Sequence, residues 1–194
     1  MDMNESLEER VRRVIREPVE VVPYDPAWPL LFEQEKHHLK DCLPRRLIGR
    51  IEHFGSTAIE GMVAKPIIDI LVEVTSLEET REAIVPVLTA QGYEYFWRPY
   101  QGDDTPPFYA WFIKRDLRGN RTHHIHMVEK DFAHWDSLLF RDHLREHQNI
   151  AEAYAALKLR LAREYRTDRL AYSSAKSAFI GQITRQAKAS HRRT

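Results

Sequence analysis

Hydrophobic and polar positions alternate from Arg46 to Phe54, with Leu47, Gly49, Ile51 and His53 set against Ile48, Arg50, Glu52 and Phe54. This two-residue period predicts a strand with two unlike faces, and it runs directly into Gly55-Ser56-Thr57. After Lys65-Pro66, the β-branched run Ile67 to Val74 predicts a buried central strand started by the proline and interrupted by one carboxylate in its apolar stretch, Asp69. Ser76, with Glu79 three residues on, forms a capping box for a helix whose apolar stripe is Ala83, Ile84, Val87 and Leu88, and Gly92 ends it. Tyr93 to Arg98, Phe108 to Arg115 and Thr122 to Glu129 read as a meander of three strands, with Gly119-Asn120 turning between the last two. From Asp131 the period becomes helical, over 132–147, 150–165 and 168 to about 188, the last bounded by Thr167.

Upstream of the first strand the signals are shorter. Residues 1–17 place Leu7, Val11, Val14 and Ile15 at helical spacing, an amphipathic extension to the domain. Val19 to Pro23 alternates as a short strand, Tyr24 to Pro29 is a proline-punctuated turn, and residues 30–43 form a helix with Leu31, Phe32, Leu39 and Leu43 on its apolar side. Mixed strands first and helices last predict an α+β fold, with a mixed sheet of about five strands, helices on one face and a C-terminal helical bundle. No internal repeat or low-complexity stretch is present.

Composition narrows the function classes. The 194 residues are 43% hydrophobic, enough for one sizeable core. Lys plus Arg balances Asp plus Glu at 29 each, so no general nucleic-acid or membrane-surface binding is expected and any basic site must be local. The single Cys42 has no partner for an intrachain disulfide and no ligands at structural-zinc spacing, so it reads as a packed thiol. No apolar run approaches the roughly 18 residues of a membrane span, and the charged N-terminus lacks the apolar segment of a signal peptide; a cytoplasmic protein is expected.

The candidate chemistry gathers at the end of the first predicted strand. A glycine-serine turn leaving a strand can bring backbone N–H groups close to a phosphate, or be an ordinary turn. Here Thr57 adds a hydroxyl, Lys65 a cation and Asp69 a carboxylate on the next strand. A carboxylate within so apolar a run is costly to bury unless paired, protonated or metal-bound; otherwise it must point into a solvated cleft or meet an arginine. Arg141 and Arg145, four residues apart on a predicted helix, project from one face and match an anion, or pair with Asp142 and Glu146. Trp97, Trp111 and Trp135 read as core and rim aromatics. His37, His38 and His191 read as solvated, and Asp103-Asp104 as a loop pair without a strand scaffold.

Two stretches then carry a resemblance: His53-Phe54-Gly55-Ser56-Thr57-Ala58-Ile59-Glu60-Gly61, and Ala64-Lys65-Pro66-Ile67-Ile68-Asp69-Ile70-Leu71-Val72. With Tyr24 to Trp28, His124-Ile125-His126-Met127-Val128, Leu139 to Arg145, Tyr154 with Leu157-Lys158, and Tyr172 with Lys176, they closely resemble the GrpB family, also called UPF0157, over about residues 18 to 185. The resemblance implies a nucleotidyltransferase-like domain over 18–188, with 130–188 as a helical cap. It also implies a Gly-Ser turn followed by an Asp-x-Asp strand and a third carboxylate on a later strand, together holding divalent metal on a triphosphate. This chain departs from that pattern, since Ile67 stands at the first carboxylate position and only Asp69 remains.

The later strand is expected to correspond to 122–129, where Thr122, His124, His126 and Val128 share one face. His124 and His126 with Asp69 can form a two-histidine, one-carboxylate site for magnesium, manganese or zinc, with histidine favouring the transition metals. They can equally contact phosphate or substrate, or serve the fold alone; His123 faces the other way and is expected to have no site role. Lys158 and Lys176 join Lys65 as expected walls of an anionic cleft, with Tyr172 stacking on a base or packing. The expected functions are metal-dependent nucleotidyl or phosphoryl transfer, an inactive nucleotide- or coenzyme-A-related binding module, or a His/Asp metal-dependent hydrolase. GrpB-like domains fused to dephospho-CoA kinase make the coenzyme A class relevant.

Overall fold

The computed structural model describes residues 6–100 and 105–191. Asp103 and Asp104 and the side chain of His191 lie outside the described residues. The chain divides into two compact units, one of residues 25–58 and 67–138, the other of residues 1–24, 59–66 and 139–194.

The first unit is built on five strands, β1 (Ile48–Phe54), β2 (Ile68–Val74), β3 (Glu94–Pro99), β4 (Phe108–Arg115) and β5 (Arg121–Val128), in the order β1-β2-β5-β4-β3. The β1/β2, β4/β5 and β3/β4 pairs are antiparallel, and β2/β5 is parallel. The fold is α+β with a mixed sheet. The apolar run predicted to be central is so: Ile68, Ile70, Leu71, Val72 and Val74 are all essentially excluded from solvent.

One sheet face is covered by α2 (Trp28–Cys42) and by α3, a helix over residues 77–90. Phe32 of α2 stacks on His53 of β1 at 4.8 Å, and Arg81 of α3 lies over the Trp97 ring. Ser76 caps α3 as expected, accepting from the Glu79 N–H. Within α3 the turn Thr80–Ile84 is π-helical, a widening the apolar spacing did not reveal. A buried polar group lies beneath the sheet: Glu35 of α2 accepts from the Tyr93 hydroxyl at 2.5 Å and from the Lys114 amine. His123 is on this face too, buried, and its pKa is lowered chiefly by that burial.

The second unit contains α1 (Leu7–Arg16), α5 (Gln148–Glu164), α6 (Arg169–Ala175) and α7 (Ser177–His191), with the C-terminal part of α4 (Asp136–Glu146). Ile59, Met62, Phe140, Leu144, Tyr154 and Ile183 form one core cluster, and Val19, Leu161 and Tyr172 another.

Three expectations about elements need correction. Residues 19–23 make no strand; their ladder reduces to a single bridge, Val22 to Ala64, and Val19 N–H donates instead to the Arg166 carbonyl. The helix expected to start at Phe132 starts at Asp136, preceded by a separate 3₁₀ turn, Ala133–Trp135, which Trp135 holds by donating its indole N–H to the Glu129 carbonyl. The long C-terminal helix breaks at Lys176, beside Ser173, Ser174 and Ser177, poor helix formers whose hydroxyls compete for backbone groups. Among the described residues no helix is long and apolar enough to cross a membrane.

Candidate metal centre

The parallel β2/β5 register sets Asp69 beside His124 and Leu71 beside His126. Alternation then directs Asp69, His124 and His126 to the same sheet face, opposite the one covered by α2 and α3. The three offer ligand atoms that all lie within 4.8 Å of one another. His124 Nδ1 is 3.1 Å from Asp69 Oδ1, and Arg121 Nη1 is 3.4 Å from His124 Nε2.

Gly55 makes the approach of Asp69 possible. Its φ of +72° is the left-handed region, and a Cβ there would meet Asp69 Oδ2 at 2.5 Å. Ser56 follows, half-buried, in the 3₁₀ turn Ser56–Ala58. Thr57 is turned inward: its hydroxyl donates to the Ile67 carbonyl at 3.3 Å and lies 3.0 Å from His53 Nε2. Ile67 itself is buried and apolar, so no second carboxylate stands beside Asp69 on this strand.

Aromatic rings surround the histidines. Phe54 meets His126 edge-on at 5.1 Å, Tyr109 stacks on it at 5.5 Å, and Trp111 meets His124 at 5.1 Å. Trp111, expected among core and rim aromatics, is thus part of this wall, while Trp135 holds the 3₁₀ turn and packs under Arg50. His134, which sequence reasoning does not single out, stacks on His126 at 4.8 Å with the rings 18° from parallel. Its position on a three-residue turn leaves no periodicity to read; the one available signal is a histidine set between Phe132 and Trp135 directly after a site-bearing strand.

Burial lowers His126 well below the ordinary histidine range, helped by His134, His124 and Arg98. It also lowers His134 to about 4, with Arg98 acting in the same direction and Asp69 against it. Both rings are therefore neutral at pH 7, the form that has a lone pair for a metal. His126 Nδ1, both nitrogens of His134 and Trp111 Nε1 are buried without a hydrogen-bond partner. Each such group costs about 1–3 kcal/mol, a concentration that a bound ion or ligand would relieve. The nitrogen-rich donor set fits zinc, manganese, iron or nickel and not the all-oxygen shell that magnesium prefers.

The remaining expected site residues are in the second unit. Lys176 lies over the Tyr172 ring at 4.1 Å and Lys65 over the same ring at 5.6 Å. Tyr172 is fully buried, a packing residue, and burial raises its hydroxyl to about 12. Lys158 is buried, donates to the Val63 carbonyl, and lies over Tyr154; burial, then the charge of Lys176, lowers it to about 7. Arg141 binds both Asp142 oxygens, at 2.7 and 2.9 Å, and Arg145 reaches one at 3.2 Å. Burial alone would raise the Asp142 carboxyl, but the two arginines outweigh it and hold it below the ordinary carboxylate range.

Comparison with known proteins agrees with the arrangement of motifs. Residues 18–186 match the family described as GrpB protein. A UPF0157 protein of Pseudomonas aeruginosa is 39% identical over 178 residues, which are 90% of this chain and 69% of that protein. A dephospho-CoA kinase of Mycolicibacterium paratuberculosis is 40% identical over 85 residues, 42% of this chain and 20% of that enzyme. The crystal structure of the conserved protein GrpB from Enterococcus faecalis superposes with a TM-score of 0.74 at 32% identity, covering 89% of this chain and 99% of that one. A match over nearly the whole folded region, in sequence and in structure, means that this chain belongs to the GrpB family.

Proposed function

We propose that this GrpB protein binds a divalent transition metal through Asp69, His124 and His126, takes a nucleotide or other phosphorylated ligand at the Gly55-Ser56 turn beside it, and transfers a nucleotidyl or phosphoryl group. The observation that carries this reading is the cluster itself, with three ligand atoms within 4.8 Å on one sheet face. When bound, the ion supplies Lewis-acid polarisation of a phosphoryl oxygen and lowers the pKa of an attacking hydroxyl. The chain's own residues supply the rest. Burial keeps His126 neutral, Arg121 orients His124, and Gly55 lets the carboxylate of Asp69 approach the turn where Ser56 offers its hydroxyl. Lys65, Lys158, Lys176, Arg141 and Arg145 are assigned to anion binding within their own unit, the Lys158 amine already donating to the Val63 carbonyl.

The test is thermal melting with a nucleoside triphosphate and magnesium, manganese or zinc, followed by a phosphate-release assay. A rise in Tm that needs both nucleotide and metal, and whose metal-dependent part disappears in Asp69→Asn, is the expected result. No shift with any of the three ions would end the proposal. A second reading, a binding module without turnover, is favoured by buried Ile67 where the nucleotidyltransferase Asp-x-Asp pattern has a carboxylate. The dephospho-CoA kinase match makes a coenzyme-A-related ligand its first probe; measurable turnover would exclude it.

A further inference from the structure

Three arginines of the sheet unit differ in what they face. Arg50 lies 4.0 Å from the Glu73 carboxylate, and Arg115 donates to Glu94 at 2.8 Å. Arg98 meets no carboxylate among the described residues; its guanidinium lies over the Trp111 ring, 4.8 Å from the centroid. It is exposed, on the edge strand β3, and pairs with Tyr109 of β4. Alternation turns it away from its neighbour Trp97, which packs with Arg81 of α3, and onto the face that carries Asp69, His124 and His126. Tyr109 stacks on His126, and its buried hydroxyl feels the charges of both Arg98 and Asp69, so the guanidinium is within electrostatic reach of the cluster.

A fixed cation opposes the arrival of a bare metal ion and attracts an anion. An arginine held on this face without a carboxylate therefore disfavours the ion alone and favours an ion that arrives with a negative ligand. A guanidinium lying over an indole still presents N–H groups at its edge, and their planar fork matches two oxygens of one phosphate. We propose that Arg98 binds the phosphoryl group of a ligand on the ion at Asp69, His124 and His126, so that the centre takes metal and phosphate monoester together more tightly than either alone. This role rests on the proposed metal centre and specifies what that centre selects. Trp111 and Tyr109 form the wall that holds the guanidinium in place.

The test is Co²⁺ titration of the chelator-stripped full-length protein, followed by visible absorption, with and without methyl phosphate. In the wild type methyl phosphate should tighten Co²⁺ binding about tenfold, and in calorimetry Co²⁺ should tighten methyl phosphate by the same factor, since coupling is reciprocal. Arg98→Met, at an exposed position and shown folded by circular dichroism, should lose most of that coupling yet bind Co²⁺ alone as tightly as the wild type or more so. Arg98→Lys, which keeps the charge, should couple more strongly than Arg98→Met. The opposite signs separate anion binding from packing: an Arg98→Met protein that binds bare Co²⁺ more weakly, or that keeps the full coupling, overturns the role of Arg98. A wild type that binds Co²⁺ with no effect of methyl phosphate overturns it without any variant and leaves the metal centre standing. No Co²⁺ binding by the wild type overturns the centre, and this role with it.

Discussion

Replacing Gly55 with alanine separates two contributions that usually come together. The first is backbone strain: at φ +72° an L side chain costs roughly 1–2 kcal/mol. The second is the clash of the new methyl with Asp69, whose Oδ2, Cβ and Cγ would lie 2.5, 3.1 and 3.2 Å away. The carboxylate can rotate, but doing so takes it from its 3.1 Å contact with His124. Gly61→Ala is the matched control, because Gly61 has φ +73° and a Cβ there would meet nothing within 4 Å. In urea unfolding Gly61→Ala should lose about 1–2 kcal/mol, and Gly55→Ala should lose more, by the cost of the clash with Asp69. In Co²⁺ titration only Gly55→Ala should lose affinity, by about 10- to 100-fold, the usual effect of displacing a group that sets a metal ligand. Equal metal affinity in the two variants would refute the claim that Gly55 exists for the approach of Asp69.

Two further predictions concern buried charges away from the metal centre. The folded state lowers Lys158 from 10.5 to about 7, so between these values the unfolded chain holds a proton that the native state releases, and stability from this group rises with pH. Lys158→Met removes the effect: the wild type should gain on the variant by a few kcal/mol between pH 7 and 10 in urea unfolding, and a constant difference would disprove it. Lys114→Met leaves the Glu35 carboxylate, which is 3% exposed, with only the Tyr93 hydroxyl, and should cost about 2–3 kcal/mol. Adding Glu35→Leu should recover most of that loss, and a single variant as stable as wild type would show that the pair contributes nothing.

The legible and illegible parts of this protein divide on physical grounds. β2 and β5 were readable because a buried strand needs a run of β-branched residues and because side chains alternate with a fixed period; the common face of His124 and His126 follows from that period alone. Asp69 stood out because a carboxylate is costly in such a run. His134 and Glu35 did not. His134 is on a turn too short to have a period, and it reaches His126 only by tertiary packing. Glu35 looks like any acidic residue of an amphipathic helix until Tyr93 and Lys114, from distant strands, close over it. The helix limits at Phe132 and Lys176 are illegible for a related reason, since hydrophobic period does not mark them: the Trp135 indole donates to the Glu129 carbonyl at the first, and the Ser177 hydroxyl and Lys176 N–H both turn to the Ser173 carbonyl at the second.

The single parallel pairing in an otherwise antiparallel sheet has a consequence for how this chain can change length. Asp69 and His124 are 55 positions apart, yet their juxtaposition depends on no hairpin turn. The chain between Thr75 and Asn120 is a long detour, through a helix and two further strands, so residues added to its connections alter the detour and leave the β2/β5 register untouched. One residue added inside β5 would do the opposite, turning His126 to the face that α2 covers. Descendants and engineered forms of this protein thus have wide freedom to lengthen in one region and almost none in another, and the boundary between the two is the edge of a strand.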